Sequence, residues 1–144
     1  MREAKFRAWD KNAYRMAEVT QIIFSKVQHT LVKYRYKTDN GKVKDETSHI
    51  DEKGHGTIVL MQYTGERDVN GKEIYEGDIV KVDTKIPHKK YPKVFKVEFR
   101  DAGFIANNII EGWYDDLINI TFPNSNAVVT VIGNIYEDPE LLEV

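Results

Sequence analysis

The chain has 144 residues, 21 of them lysine or arginine against 23 aspartate or glutamate, and no cysteine. That length suits one domain with an arm or hairpin appended, and a formal charge of −2 gives no general pull toward nucleic acid or anionic membrane. The lack of cysteine excludes disulfides, thiolate catalysis and cysteine-ligated zinc, and it suits a reducing cytoplasm.

The N-terminus, MREAKFRAWDK, is charged and has no apolar h-region, so no secretory signal is expected. Consistently, the sequon Asn119-Ile120-Thr121 reads as chance, and apolar runs such as IVLM are strand-length rather than membrane-spanning. Within KFRAWD, Phe6 and Ala8 alternate with Lys5, Arg7 and Trp9, and Asp10-Lys11-Asn12 supplies turn chemistry, so a short strand entering a turn is expected. Residues 19–27, VTQIIFSKV, are β-branched, but their periodicity leaves strand and helix both open. In TLVKYRYK, Val32, Tyr34 and Tyr36 alternate with Lys33, Arg35 and Lys37, the pattern of a half-buried strand.

Residues 37–56 are charged and glycine-punctuated, with Val43 and Ile50 the only large aliphatics, and are expected to form an exposed hairpin or mobile loop. Strand grammar resumes at TIVLMQY. Asn70-Gly71 marks a tight reversal before EIYEGDIVKV, and KVFKVEF sets Phe95, Val97 and Phe99 against Lys96 and Glu98. Asp101-Ala102-Gly103 turns the chain into FIA. The near-continuous apolar run AVVTVIGNIY reads as a buried strand, with Gly133 at a bulge or bend. Short helices are expected only around Gly112–Leu117 and in Pro139-Glu140-Leu141-Leu142. Short strands spaced by turns argue a small barrel rather than a parallel sheet.

Candidate chemistry is sparse. His49 and His55 lie near Asp45, Glu46 and Asp51, but without the compact, rigid spacing that zinc requires, so a solvated loop is the better reading. The stretch Asp68–Glu73 lacks the alternating oxygens and distant glutamate of a calcium loop and reads as a turn. The carboxylate pairs Glu76/Asp78 and Asp115/Asp116 have no histidine or serine beside them to complete a catalytic set. Gly54-His55-Gly56 lacks the further glycine and following helix of a phosphate loop. Trp9, Trp113 and Tyr114 suit core packing better than a groove. The acidic C-terminus, EDPELLEV, is expected to dock on its own domain.

Nucleic acid is the most substantial alternative. Lys33, Tyr34, Arg35, Tyr36 and Lys37 interleave cations with aromatics, and a second basic stretch runs through Lys81, Lys85, His88, Lys89, Lys90, Lys93 and Lys96. Pro87 and Pro92 bracket its centre, as an extended loop between strands would require. Such a loop grips phosphates through charge, and its binding falls as salt rises.

Three segments carry a family resemblance: KFRAWDK (5–11), LMQYTGERDVNGKEIYEGDIVKV (60–82) and VIGNIYEDPELL (131–142). Together they resemble the YopX family of phage and prophage proteins. They occur in family order and reach both ends, although they cover under a third of the chain. The resemblance implies a phage-encoded protein made in a bacterial cytoplasm, with a fold that includes an SH3-like β-barrel. It implies no catalytic residues, since the family has no established activity.

The expectation is therefore a mainly β protein. Residues 57–144 would form a small SH3-like barrel, and residues 1–56 would add strands and a charged loop packed on it or extending it. Its function would be that of a non-enzymatic phage accessory protein binding a host or phage protein, or itself. The alternative is nucleic-acid binding through Lys33, Tyr34, Arg35, Lys37, Lys85, Lys89, Lys90 and Lys93. No cofactor, metal, membrane or small-molecule substrate is expected, and a hydrolase-like role for Glu76 and Asp78 ranks last.

Overall fold

A computed structural model of the chain describes residues 3–27, 29–84, 93–108, 110–121 and 126–143. The chain divides into two compact units, residues 4–62 and residues 63–144. Every strand pairing is antiparallel.

The first unit holds β1 (Phe6–Asp10), β2 (Arg15–Phe24), β3 (His29–Lys37), β4 (Val43–Asp51) and the first half of β5 (Ile58–Arg67), in the order β4-β3-β2-β1-β5. The turn from β1 to β2 is fixed by Asp10, whose Oδ1 accepts the amides of Asn12 and Ala13, both at 2.9 Å. β2 settles the ambiguity over residues 19–27 as strand, and its register explains why periodicity could not. A bulge between Val19 and Gln21 inverts the alternation: Val19 lies opposite Tyr34, whereas after the bulge it is Ile22 that lies opposite Val32. One inserted residue moves later side chains to the other face, so no single period fits the segment.

Of the two expectations for residues 37–56, exposed hairpin or mobile loop, β4 realises the hairpin. It pairs with β3 residue for residue, from His29↔Asp51 to Lys37↔Val43, across a turn closed by Gly41 N–H to Thr38 O at 2.9 Å. Its charges reflect an edge position, where Lys44, Asp45 and Glu46 discourage a further strand from pairing.

Ala8, Ala17, Val32, Tyr34, Ile50 and Ile58 form one cluster. These residues come from all five strands, both edges included, so the sheet is rolled around them. A contact between its edge segments agrees: Ser48 Oγ and Thr57 Oγ1 lie 2.7 Å apart.

The second unit holds the rest of β5, then β6 (Glu73–Tyr75), β7 (Asp78–Thr84), β8 (Lys93–Arg100), β9 (Gly103–Asn108), β10 (Trp113–Asp116), α1 (Leu117–Thr121), β11 (Ala127–Asn134) and a 3-10 turn at Pro139–Leu142. The order of its five-stranded sheet is β10-β9-β8-β7-β11. The pairings do not close the expected SH3-like barrel: among the described residues β10 and β11 are the sheet's two edges. β10 is only four residues long and runs directly into α1, and α1 sends Leu117 into the core beside Val80, Phe95 and Val129. The helix expected around Gly112–Leu117 is thus displaced, with strand up to Asp116 and helix from Leu117.

Turn chemistry behaves as expected in this half. Gly71, at φ +80°, closes the β5–β6 hairpin with its amide on Asp68 O at 3.0 Å. Asp101 and Ala102, at φ 52° and 63°, make the left-handed pair that a two-residue β8–β9 reversal needs. β11 bulges between Val131 and Gly133, where a β-carbon on Gly133 would stand 2.5 Å from Asp138 Oδ2.

Candidate functional site

The acids that drew attention in the sequence serve the backbone. Asp78 is 1% exposed, and its Oδ2 accepts Tyr75 N–H at 2.8 Å across the Glu76-Gly77 turn. Asp68 is also buried. Its Oδ1 accepts the amides of Asn70 and Lys72 at 2.9 Å, and its Oδ2 accepts Val131 N–H at 3.0 Å. The stretch that could pass for a calcium loop is therefore a hairpin latched to β11, helped by Val69 N–H on Val129 O at 2.9 Å. Both oxygens of the Asp68 carboxylate are engaged by backbone amides. Among the described residues, no group of three or more histidine, aspartate and glutamate side chains could hold a cation.

Histidines pair rather than converge. His29 and His49 meet edge to face at 6.2 Å, and His55 Nδ1 lies 3.3 Å from Asp51 Oδ2. The Asp51 carboxyl is held below its ordinary range, first by the His55 amide.

Sequence reasoning missed one buried polar pair, Asp10 and Tyr34. The Tyr34 hydroxyl donates to Asp10 Oδ2 at 2.7 Å inside the first unit. Burial works to raise the Asp10 carboxyl, but the Ala13 amide, the Tyr34 hydroxyl and the Asn12 amide outweigh it and hold the group below its usual range. Burial, then the hydrogen bond to Asp10, pushes the Tyr34 phenol well above its ordinary value. The only hint in sequence is a tyrosine on the apolar face of β3, whose hydroxyl needs a partner once buried.

The basic strand is placed as its alternation suggests. Lys33, Arg35 and Lys37 are exposed, whereas Tyr34 is buried on the opposite face and offers no open ring to a base. Carboxylates sit among the cations: Arg35 Nε reaches Asp45 Oδ1 at 2.9 Å, and Glu18 lies opposite Arg35 on β2. Lys93 is bound to Glu111 Oε2 at 2.5 Å, far along the chain from the first group. Lys85, Lys89 and Lys90 lie outside the described residues, as does His88.

The second unit presents a different surface. Phe99, Ile110, Trp113, Tyr114 and Ile118 are all exposed large apolar side chains within residues 99–118. Trp113 packs edge-on to Phe95 at 5.1 Å and donates from Nε1 to Glu111 Oε2 at 2.7 Å. The Arg100 guanidinium stacks on Tyr114 at 4.9 Å, a cation–π contact. Phe99 shares a face with Phe95 and Val97 but is 57% exposed, because β8 runs past the core before its turn. There it meets Phe104 across the pair, at 5.3 Å between rings.

Beside Phe99 and Ile118, at the β8–β9 turn end of this surface, lies a groove of about 560 Å³. Residues 64–66 of β5, the β8–β9 turn at 101–104, and 116–118 at the β10–α1 junction form its three walls. Phe104 and Ile118, the latter 56% exposed, bring apolar surface to it, and Leu117 closes its floor from within the core. The Thr64 hydroxyl is already donated to Ile74 O at 2.7 Å, and each wall brings one carboxylate: Glu66, Asp101 and Asp116.

Comparison with known proteins adds a family. A model described as YopX protein matches residues 5–143. A crystal structure of protein EF1440 from Enterococcus faecalis is similar, with 28% identity and a TM-score of 0.60, covering 99% of this chain and 100% of that one. An X-ray structure of protein yopX from Bacillus subtilis, at 24% identity, shares the fold with a TM-score of 0.61 and the same 99% and 100% coverage. No curated protein matches.

Proposed function

This chain belongs to the YopX family, and from that premise we propose a non-enzymatic interaction module that binds a protein partner, or a second copy of itself, through the 63–144 unit. The observation that carries the reading is the run of exposed apolar side chains between Phe99 and Ile118, beside a groove. Exposed apolar surface of this kind, rimmed by polar groups, is characteristic of interaction sites. The buried acids support a non-enzymatic role, because Asp10, Asp68 and Asp78 are committed to turns and to Tyr34.

We read the second unit as SH3-like. A four-strand meander, β7 to β10, then a short helix and a last strand returning beside the first, is the connectivity of such folds, here in an open sheet. A prophage setting and a bacterial cytoplasm go with this reading and rest on the family resemblance.

The test is affinity capture from host cells with and without nuclease, using the wild-type chain and a Phe99→Ser/Ile118→Ser variant. The reading expects a protein partner that survives nuclease and is lost by the variant. Material recovered only as nucleic acid would favour the basic segments instead.

A further inference from the structure

Resting on that reading of the chain as an interaction module, we propose that the groove of the 63–144 unit takes an extended segment of a partner protein in which basic side chains alternate with apolar ones. Charge complementarity carries the argument. Many carboxylates on this chain already have a cation: Asp39 has Arg15, Asp45 has Arg35, Glu98 has Lys96 and Glu111 has Lys93. Glu66, Asp101 and Asp116 pair with no cation among the described residues, yet they stand on three different walls of one groove. The nearest cation in sequence, Arg100, is spent on the Tyr114 ring.

Polar and apolar surface are mixed in this groove, the apolar part coming from Phe104, half-buried against Phe99, and from Ile118, 56% exposed. Such a groove rewards apolar contact at its centre and cations at its rim, as partner-binding surfaces generally do. Gly65, at φ +89°, has open space where a side chain would stand, so a partner's backbone can approach β5 there.

The test uses the full chain and a short fluorescent peptide of alternating lysine and leucine, followed by anisotropy and by amide shifts in a nitrogen-15 spectrum. Binding should weaken about threefold in each of Glu66→Gln, Asp101→Asn and Asp116→Asn, and more than tenfold in the triple variant. Asparagine tolerates the positive φ at position 101, so the fold is kept. An Asp39→Asn/Asp45→Asn variant removes charge from the other unit and should bind as wild type. Shifts should cluster at residues 64–66, 101–104 and 116–118. The proposal is overturned if the peptide does not bind, if the triple variant binds equally, if shifts fall elsewhere, or if a lysine–serine peptide binds as tightly. A cellular partner retained by the triple variant would overturn the groove assignment alone, whereas a wild-type chain that captures no protein would overturn the module reading.

Discussion

Replacing Tyr34 with phenylalanine removes one oxygen and keeps the ring, and it isolates the bond to Asp10 at 2.7 Å. The Asp10 carboxylate is 5% exposed, so water cannot readily take the place of the hydroxyl. A hydrogen bond to a charged group of this kind contributes about 1.5–3 kcal/mol. In a chain of this size that corresponds to a fall of roughly 4–10 °C in Tm. The pH dependence then identifies the cause. Asp10 has a depressed folded-state pKa, so its contribution is present above the unfolded value of about 3.9 and is lost as pH falls through the folded value. Tyr34 has a raised folded-state pKa, so its contribution is present below about 10 and is lost as pH rises above it. The gap between wild type and Tyr34→Phe should therefore be a plateau from about pH 5 to 9, narrowing at both ends. Urea unfolding followed by circular dichroism across that range measures it. A gap below about 0.5 kcal/mol at neutral pH, or one unchanged from about pH 3 to 11, would refute the reasoning.

Further substitutions probe the second unit. Asp68→Ala strips acceptors from three amides and should cost about 2–4 kcal/mol, read by chemical denaturation, with accelerated hydrogen exchange at Val131. Gly133→Ala drives a β-carbon to 2.5 Å from Asp138 Oδ2 and should cost about 1–3 kcal/mol, with part recovered in Gly133→Ala/Asp138→Gly. Gly71→Ala meets no neighbour but must hold φ +80°, so a loss of about 1 kcal/mol in thermal unfolding is expected. Lys96→Met removes the 2.8 Å pair with Glu98, whose side chains are 28% and 25% exposed, and should change stability by less than about 1 kcal/mol.

Turns were legible because their chemistry is local. Asn70-Gly71 and Asp101-Ala102 declare a reversal in two residues, and Gly133 marks a bulge that β11 shows. Alternation in β3 was equally direct. What eluded sequence depends on register or on distance along the chain. The β2 bulge breaks the very periodicity that would have announced a strand. At β4 the sequence left hairpin and mobile loop both open, because an edge strand buries little and carries charge. Phe99 fits the apolar face of β8 by alternation, yet only packing shows that the core ends before it. The groove has no sequence signature at all, since its walls come from residues 64–66, 101–104 and 116–118.

The most direct test of the interaction-module reading is quantitative capture from host cells by wild type and by Phe99→Ser/Ile118→Ser, each with and without nuclease. The account predicts a defined protein partner with the wild-type chain, and its loss with the variant while thermal stability is kept. Equal capture by the two chains, or recovery of nucleic acid alone when nuclease is omitted, would contradict it.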